Sequence, residues 1–275
     1  MMAHKNNEQF IKQVTKLIKI LIIANIGFLQ AQYTAIPDAN FEQELINQGI
    51  DSENILDGQV LTSDIDTITN LSIISTNISD MTGIQDFSAL THLKVANNIN
   101  LTNLDLSNNT ALTYLECGDN CSLYLNIENI TANLEHLEYN SNAPITHLDI
   151  GYKPNLTYLS CANSYVLSSI GISGCPNLEL LDCFMCSITD LDVSQNPLLT
   201  IINATFNDIN EIDLSSNINL INLHISSNNL ETLNLNQNTA LEVLECGGND
   251  LTSLYIQNNA NDLITDFDAT NNPNL

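Results

Sequence analysis

Apolar residues return along this chain at a fixed interval. From Leu90 onward, nine-residue segments read LTHLKVANN, LTYLECGDN, LEHLEYNSN, LTYLSCANS, LELLDCFMC, LTIINATFN, LINLHISSN, LEVLECGGN and LITDFDATN. They begin at residues 90, 112, 134, 156, 178, 199, 220, 241 and 263, a spacing of 21 or 22 throughout. A degenerate earlier copy starts at Ile68 (ITNLSIIST) and runs to Ala89. Positions 1, 4 and 6 are apolar and position 9 is usually Asn. Positions 4 and 6 alternate with 3, 5 and 7, which predicts a short strand with its apolar side chains inward and its polar ones outward.

Position 9 lies past the strand, where an inward Asn amide can satisfy backbone groups of the coils on either side. The row runs Asn98, Asn120, Asn142, Ser164, Cys186, Asn207, Asn228, Asn249 and Asn272, and its two consecutive departures mark a weak point. The second half of each unit nearly repeats the first: LTNLDLSNN (101–109), ITHLDIGYK (145–153), ITDLDVSQN (188–196), INEIDLSSN (209–217), LETLNLNQN (230–238) and LTSLYIQNN (251–259). No i, i+3, i+4, i+7 spacing persists, so the return segment is strand-like as well. The pattern is that of a leucine-rich repeat. It predicts a mainly β, right-handed, flattened solenoid with a strand on each long side. The unit 112–133 is irregular, since Leu125 and Ile127 imply a one-residue slip.

A solenoid must cover its terminal layers. Residues 32–67 are expected to form an N-terminal cap ahead of a solenoid over 68–275. Pro37 and Asp38 suit a helix start, Phe41, Leu45 and Ile46 share a face, and Gly49 suits the stop. The far end halts midway through a unit at ATNNPNL, so further repeats, a cap or a sorting domain are expected beyond Leu275. The opening residues 1–31 read as a secretory leader: a Lys-bearing stretch, the apolar run ILIIANIGFL and then Ala31. That run is too short to cross roughly 30 Å of hydrocarbon as a helix.

Beyond periodicity, Cys117, Cys161, Cys183 and Cys246 recur at position 6, and the second halves carry an LDL-type motif. In these features the chain resembles the bacterial leucine-rich-repeat class with consensus LxxLxCxxNxLxxLDLxxN. The segment IPDANFEQELINQGID (36–51) resembles the opening of exported surface proteins of gliding bacteria that carry such repeats. The resemblance implies an extracellular or cell-surface binding module without naming its partner.

Charge narrows the choice of partner. The chain has 32 Asp and Glu against 6 Lys and no Arg. Loss of 1–31 removes four Lys and Glu8, leaving 31 acids against two Lys, a formal charge of −29. Such a surface repels nucleic acid and anionic lipid and favours cationic partners or divalent metal. The expected setting is therefore secreted or surface-displayed, with an extracellular protein or glycan as partner, no nucleic acid, and no membrane insertion once the leader is gone.

Several side chains could carry chemistry. Cys183-Phe184-Met185-Cys186 is a C-x-x-C, but Cys183 holds the inward position 6 and Cys186 replaces an Asn, so buried thiols are expected. Cys121 and Cys175 fall outside the core register. Position 3 presents His92, Tyr114, His136 and Tyr158 in consecutive units, a row of rings about 4.8 Å apart. Position 5 holds Lys94, Glu116, Glu138, Ser160, Asp182, Asn203, His224 and Glu245 on the same face. Phe184, Met185 and Phe206 follow at positions 7 and 8, either as a rim patch or packed on one another. His92, Tyr114, His136, Tyr158, Glu116, Glu138, Asp182 and Phe206 form the predicted binding face.

On the return segment, Asp190, Asp192, Glu211 and Asp213 concentrate acid that Ca²⁺ would relieve, though the spacing matches no known calcium loop and the LDL motif explains Asp192 and Asp213. No other cofactor is implied. Enzyme signatures such as G-x-S-x-G, H-E-x-x-H and Gly-rich phosphate loops are missing. The reading is a non-catalytic recognition module. The alternatives are a structural or adhesive spacer, and an accessory module of a larger enzyme.

Overall fold

Position 4 of each unit is where the fold begins. Leu71, Leu93, Leu115, Leu137, Leu159, Leu181, Ile202, Leu223 and Leu244 are each 2 % exposed or less, and the residues two places on are buried with them. Removing one such side chain from water is worth roughly 1.5–3 kcal/mol, so stacked coils share one continuous apolar column. The computed structural model describes residues 32–120, 124–125, 127, 130–140, 145–257 and 263–275. The leader expectation for 1–31, along with Cys121, Asn142 and Asn259, falls outside those residues.

The nine-residue segments form one parallel sheet of ten short strands: Asn70–Ser72, His92–Lys94, Tyr114–Glu116, His136–Glu138, Tyr158–Ser160, Leu180–Asp182, Ile201–Asn203, Asn222–His224, Val243–Glu245 and Asp266–Asp268. We call this the front wall. Register is constant: position 3 pairs with position 3 from Asn70↔His92 to Asn222↔Val243. The last pairing, Val243↔Asp266, corrects the expected start of the final unit from Leu263 to Ile264, with Leu263 left 49 % exposed. Leu263 stands at the expected 22-residue step from Leu241 and so imitates position 1 there.

The opposite wall is less regular than expected. Return strands occur as three two-stranded pieces: Asn103–Leu104 with Tyr124–Leu125, His147–Asp149 with Ser169–Gly171, and Thr232–Asn234 with Ser253–Tyr255. Residues 188–194 and 209–214 have strand-like sequence but form no strand, apart from a single bridge from Ser169 to Asp190. These segments would set Asp190 against Glu211 and Asp192 against Asp213. Facing carboxylates about 5 Å apart repel by roughly 1 kcal/mol per pair in water, and like charges oppose close pairing.

Two Asn rows hold the coils together. On the front, Asn228 Nδ2 donates to Ala204 O (2.8 Å) and Ile225 O (3.1 Å), and its Oδ1 accepts from Ile209 N (3.0 Å). Asn207, Asn249 and Asn272 repeat this pattern on their own neighbours. Cys186 substitutes for the amide at the weak point, donating its S–H to Cys161 O at 3.3 Å. A second row, at the end of each half-repeat, comprises Asn109, Asn196, Asn217 and Asn238, all fully buried. Asn217 Nδ2 donates to Val193 O (3.1 Å) and Asn196 O (2.8 Å). Cys175 stands in this second row and is fully buried, so the expectation that it lies outside the core is corrected. Burial pushes the Cys175 and Cys246 thiols up to about 11, and all six described cysteines are free.

The cap shares the solenoid core. Its helix, Ala39–Asn47, starts at Asp38, whose Oδ1 accepts from Asn40 N and Phe41 N. Asp38 Oδ2 accepts from the Ser79 N–H and hydroxyl and from Asp80 N, tying the helix to the first return segment. Phe41 stacks on Phe87 with centroids 6.3 Å apart. Buried Glu42 accepts three backbone N–H bonds, from Asp57, Gly58 and Gln59, which closes the turn that follows.

Candidate binding face

Strand alternation that sends position 4 into the core sends positions 3 and 5 outward, and in-register parallel pairing then lines up equivalent side chains. The four ring residues stack into a ladder. Ring centroids are 5.6 Å apart for His92–Tyr114, 4.2 Å for Tyr114–His136 and 4.0 Å for His136–Tyr158, with planes within 18° of parallel. Tyr114 and His136 are therefore covered on both faces, and the ladder shows its edges to the exterior.

The position-5 row fastens those edges. Lys94 Nζ lies 2.7 Å from Glu116 Oε2 and 5.1 Å from the Tyr114 ring centre. The Tyr114 hydroxyl donates to Glu116 Oε2 at 3.3 Å, and His136 Nε2 lies 2.9 Å from Glu138 Oε1. Farther along, His224 Nδ1 meets Glu245 Oε2 at 2.8 Å. Burial, and then the charge of Glu138, pushes the Tyr114 and Tyr158 phenols up. Burial also raises the Asp182 carboxyl, despite bonds from Phe184 N–H, Ser160 and Asn203. Six of the predicted residues, His92, Tyr114, His136, Tyr158, Glu116 and Glu138, thus share four consecutive strands. Asp182 is on the next strand, and Phe206 lies just past the strand after that.

The rim beyond the strands has a constraint that periodicity did not reveal. Position 8 is left-handed in every described unit: Ser75 (φ 59°), Asn97 (58°), Asp119 (55°), Asn163 (61°), Met185 (53°), Phe206 (58°), Ser227 (57°), Gly248 (67°) and Asn271 (58°). The bend is held because the position-8 N–H reaches the position-7 carbonyl of the next coil, as in Met185 N to Thr205 O and Phe206 N to Ser226 O, both 3.0 Å. Gly, Asn and Asp tolerate this backbone, whereas an ordinary L-residue there costs roughly 1–2 kcal/mol. Met185 and Phe206 are the bulky departures. Phe206 is 52 % exposed and meets Phe184 edge-on at 5.7 Å. The two rings of this trio thus pack on each other, and Phe206 is left half exposed at the rim. The small polar residues at position 8 in the other units were the available signal.

The four return-wall acids line a shallow trough of about 520 Å³ with Thr232 and Asn234. They do not converge: among the described residues no three His, Cys, Asp or Glu side chains are grouped to hold a metal ion. Asp192 and Asp213 instead close their own turns, accepting from Ser194 N and Ser215 N at 2.9 Å; the serine hydroxyls, and then those N–H groups, hold both carboxyls below the usual range. Asp105 and Asp149 close turns of the same kind, accepting from Ser107 N and Gly151 N. The return-wall Asp residues thus have a local structural role.

Among the described residues no helix is long and apolar enough to cross a membrane. No family model and no curated protein matches the sequence. Solved structures do. The functional domain of InlJ from Listeria monocytogenes, which includes a cysteine ladder, matches with a TM-score of 0.66 and 27 % identity over 90 % of this chain and 64 % of that one. The chain thus spans just under two thirds of that domain. An internalin (inlF) from Listeria monocytogenes gives 0.59 and 22 % over 88 % and 79 % of the two chains, respectively. A leucine-rich-repeat protein from Leptospira interrogans gives 0.54 and 18 % over 75 % and 56 %.

Proposed function

We propose, from the premise that this chain is a bacterial leucine-rich-repeat protein, that it is an exported recognition module whose front wall captures a protein outside the cell. The repeat fold itself suggests a protein-interaction module. Export rests on the Lys-bearing apolar leader of residues 1–31. One contrast supports the location: the front wall sets rings and carboxylates in register on its outer face, whereas the most repeated outward residue of the return wall, the Asp at 105, 149, 192 and 213, is taken up closing its own turn. An ordered outward strip of side chains not consumed by local turns is what a surface fitted to a partner requires.

A protein is favoured over a glycan for a geometric reason. A sugar docks on an open ring face, and the faces of Tyr114 and His136 are covered by neighbouring rings. The ladder offers a stiff strip of phenol and imidazole edges beside carboxylates, which suits hydrogen-bonding and cationic groups of a polypeptide. Affinity would be spread over many coils with a few anchors.

Panels of purified extracellular proteins and arrayed glycans test this. Capture of a protein by the native chain should weaken about tenfold, roughly 1.4 kcal/mol, in Tyr114→Ser/Tyr158→Ser. Return-wall Asp192→Asn should leave it unchanged. Capture that survives the double substitution but fails with Asp192→Asn would place recognition on the other wall, and binding to glycans alone would replace the protein reading.

A further inference from the structure

The rim at coils 178–198 and 199–219 combines three features that the fold does not need. First, Met185 and Phe206 sit in the left-handed bend that other described coils fill with Ser, Asn, Asp or Gly. Second, they stay out of the core: Phe206 is 52 % exposed, and neither it nor Met185 is among the buried apolar residues. Third, Asp182 lies at the same place, its Oδ1 accepting from Phe184 N at 3.2 Å, so a carboxylate borders the apolar ring pair. Residues that strain the backbone without filling the interior mark a surface shaped for contact.

Charge identifies the occupant. Between residues 32 and 275 the only Lys or Arg are Lys94 and Lys153. Lys94 is paired with Glu116, and Lys153 is 2 % exposed. Within residues 32–275, therefore, no Lys or Arg is left to meet Asp182, and a cation for it must come from a partner once the leader is removed. We propose that Phe184, Met185 and Phe206, beside Asp182, form the anchor for a basic polypeptide segment that sets an aliphatic or aromatic side chain next to a Lys or Arg. The apolar side chain lies on the Phe184–Phe206 pair and the cation reaches Asp182. This rests on the recognition reading above and deepens it, adding an anchor separate from the ring ladder.

The test is selection of a phage-displayed random 12-residue peptide library on the full chain, followed by titration of enriched synthetic peptides. Enriched sequences should pair an apolar residue with Lys or Arg. Their affinity should fall about tenfold or more in Met185→Asn/Phe206→Asn, and several-fold in Asp182→Asn for the cationic peptides. The Met185→Asn/Phe206→Asn protein should melt at or above the native temperature, since Asn tolerates the bend, so lost binding would not reflect lost fold. Tyr114→Ser/Tyr158→Ser should leave these peptides nearly unaffected. That separates the two claims: full protein capture by the Tyr variant with peptide binding intact removes the ladder and keeps the anchor. The anchor is overturned if no peptide enriches, if enriched peptides are acidic or ignore the rim substitutions, or if the rim variant melts lower. A native dimer that dissociates in the rim variant, read by sedimentation, would assign the patch to a second copy and overturn the basic-segment proposal.

Discussion

The two long walls are written in almost the same half-repeat, yet they behave differently. On the front wall the inward Asn amide works at both ends: Asn228 donates to two carbonyls and accepts an N–H from the preceding coil. On the return wall the donor end alone is matched for Asn109, Asn196 and Asn217, whose buried Oδ1 atoms find no hydrogen-bond partner. The return carbonyls also keep a backbone donor, since Val193 O accepts from Asn196 N and Asn196 O from Leu199 N. The front wall closes into a continuous ten-stranded sheet, while the return wall breaks into pairs. The same motif thus provides a continuous platform on one side and a looser seam on the other, and the continuous side is the one that carries the ring ladder.

The sharpest way to break this comparison is to delete one amide from each wall. Asn228→Ala should cost about 3 kcal/mol in urea unfolding and Asn217→Ala about 1 kcal/mol, because orphaning buried backbone groups costs roughly 1–3 kcal/mol each and only the front substitution orphans an N–H. Equal losses would mean that the walls share the load evenly.

A smaller effect concerns the rim. Phe206→Asn relieves a left-handed bulky residue and should raise stability by about 1 kcal/mol, read as an upward shift in melting temperature. The same substitution has no counterpart on the return wall. A fall in melting temperature would show that the Phe184–Phe206 contact supports the fold.

A carboxylate on the front wall and one in the cap should respond to pH with opposite sign. Asp182 on the front is raised by burial, so its charged form is disfavoured in the folded state. It weakens the fold at neutral pH, and that penalty disappears as pH falls through its folded value. Asp182→Asn should therefore raise the melting temperature at pH 7 and lose its advantage in acid. Asp38 binds the first return segment and lies below its ordinary value, because bonds from Ser79, Phe41 and Asn40 outweigh the effect of burial. Its contribution is present above the unfolded value and lost as pH falls through the folded one. Asp38→Asn should lower the melting temperature at pH 7, by less as the pH drops.

The smallest expected effect is that of calcium. With Asp192 and Asp213 committed to their own turns and the four acids unconverged, millimolar Ca²⁺ should leave the melting temperature unmoved. A clear rise would restore the return trough as a cation site.

Much of the site was legible beforehand because solenoids turn sequence spacing into spatial adjacency. Once the 21–22-residue interval was read, His92, Tyr114, His136 and Tyr158 had to stand side by side. The departures have local causes. The final register differs by one because Leu263, 22 residues after Leu241, imitates position 1, whereas the strand runs Asp266-Phe267-Asp268 with Phe267 at position 4. Cys175 escapes the front-strand periodicity because it belongs to the second inward row, spelled at the end of each half-repeat. Lys153 belongs to that row too, and its burial is invisible to composition.

Sequence alone determined the coil length, the inward residues and the order of outward ones, since each follows from local periodicity. Tertiary structure alone decided how far each wall pairs, which ring faces are covered, and that position 8 must bend left-handed. Those properties arise between coils, from the contact of one unit's backbone and side chains with the next, and no single unit contains them.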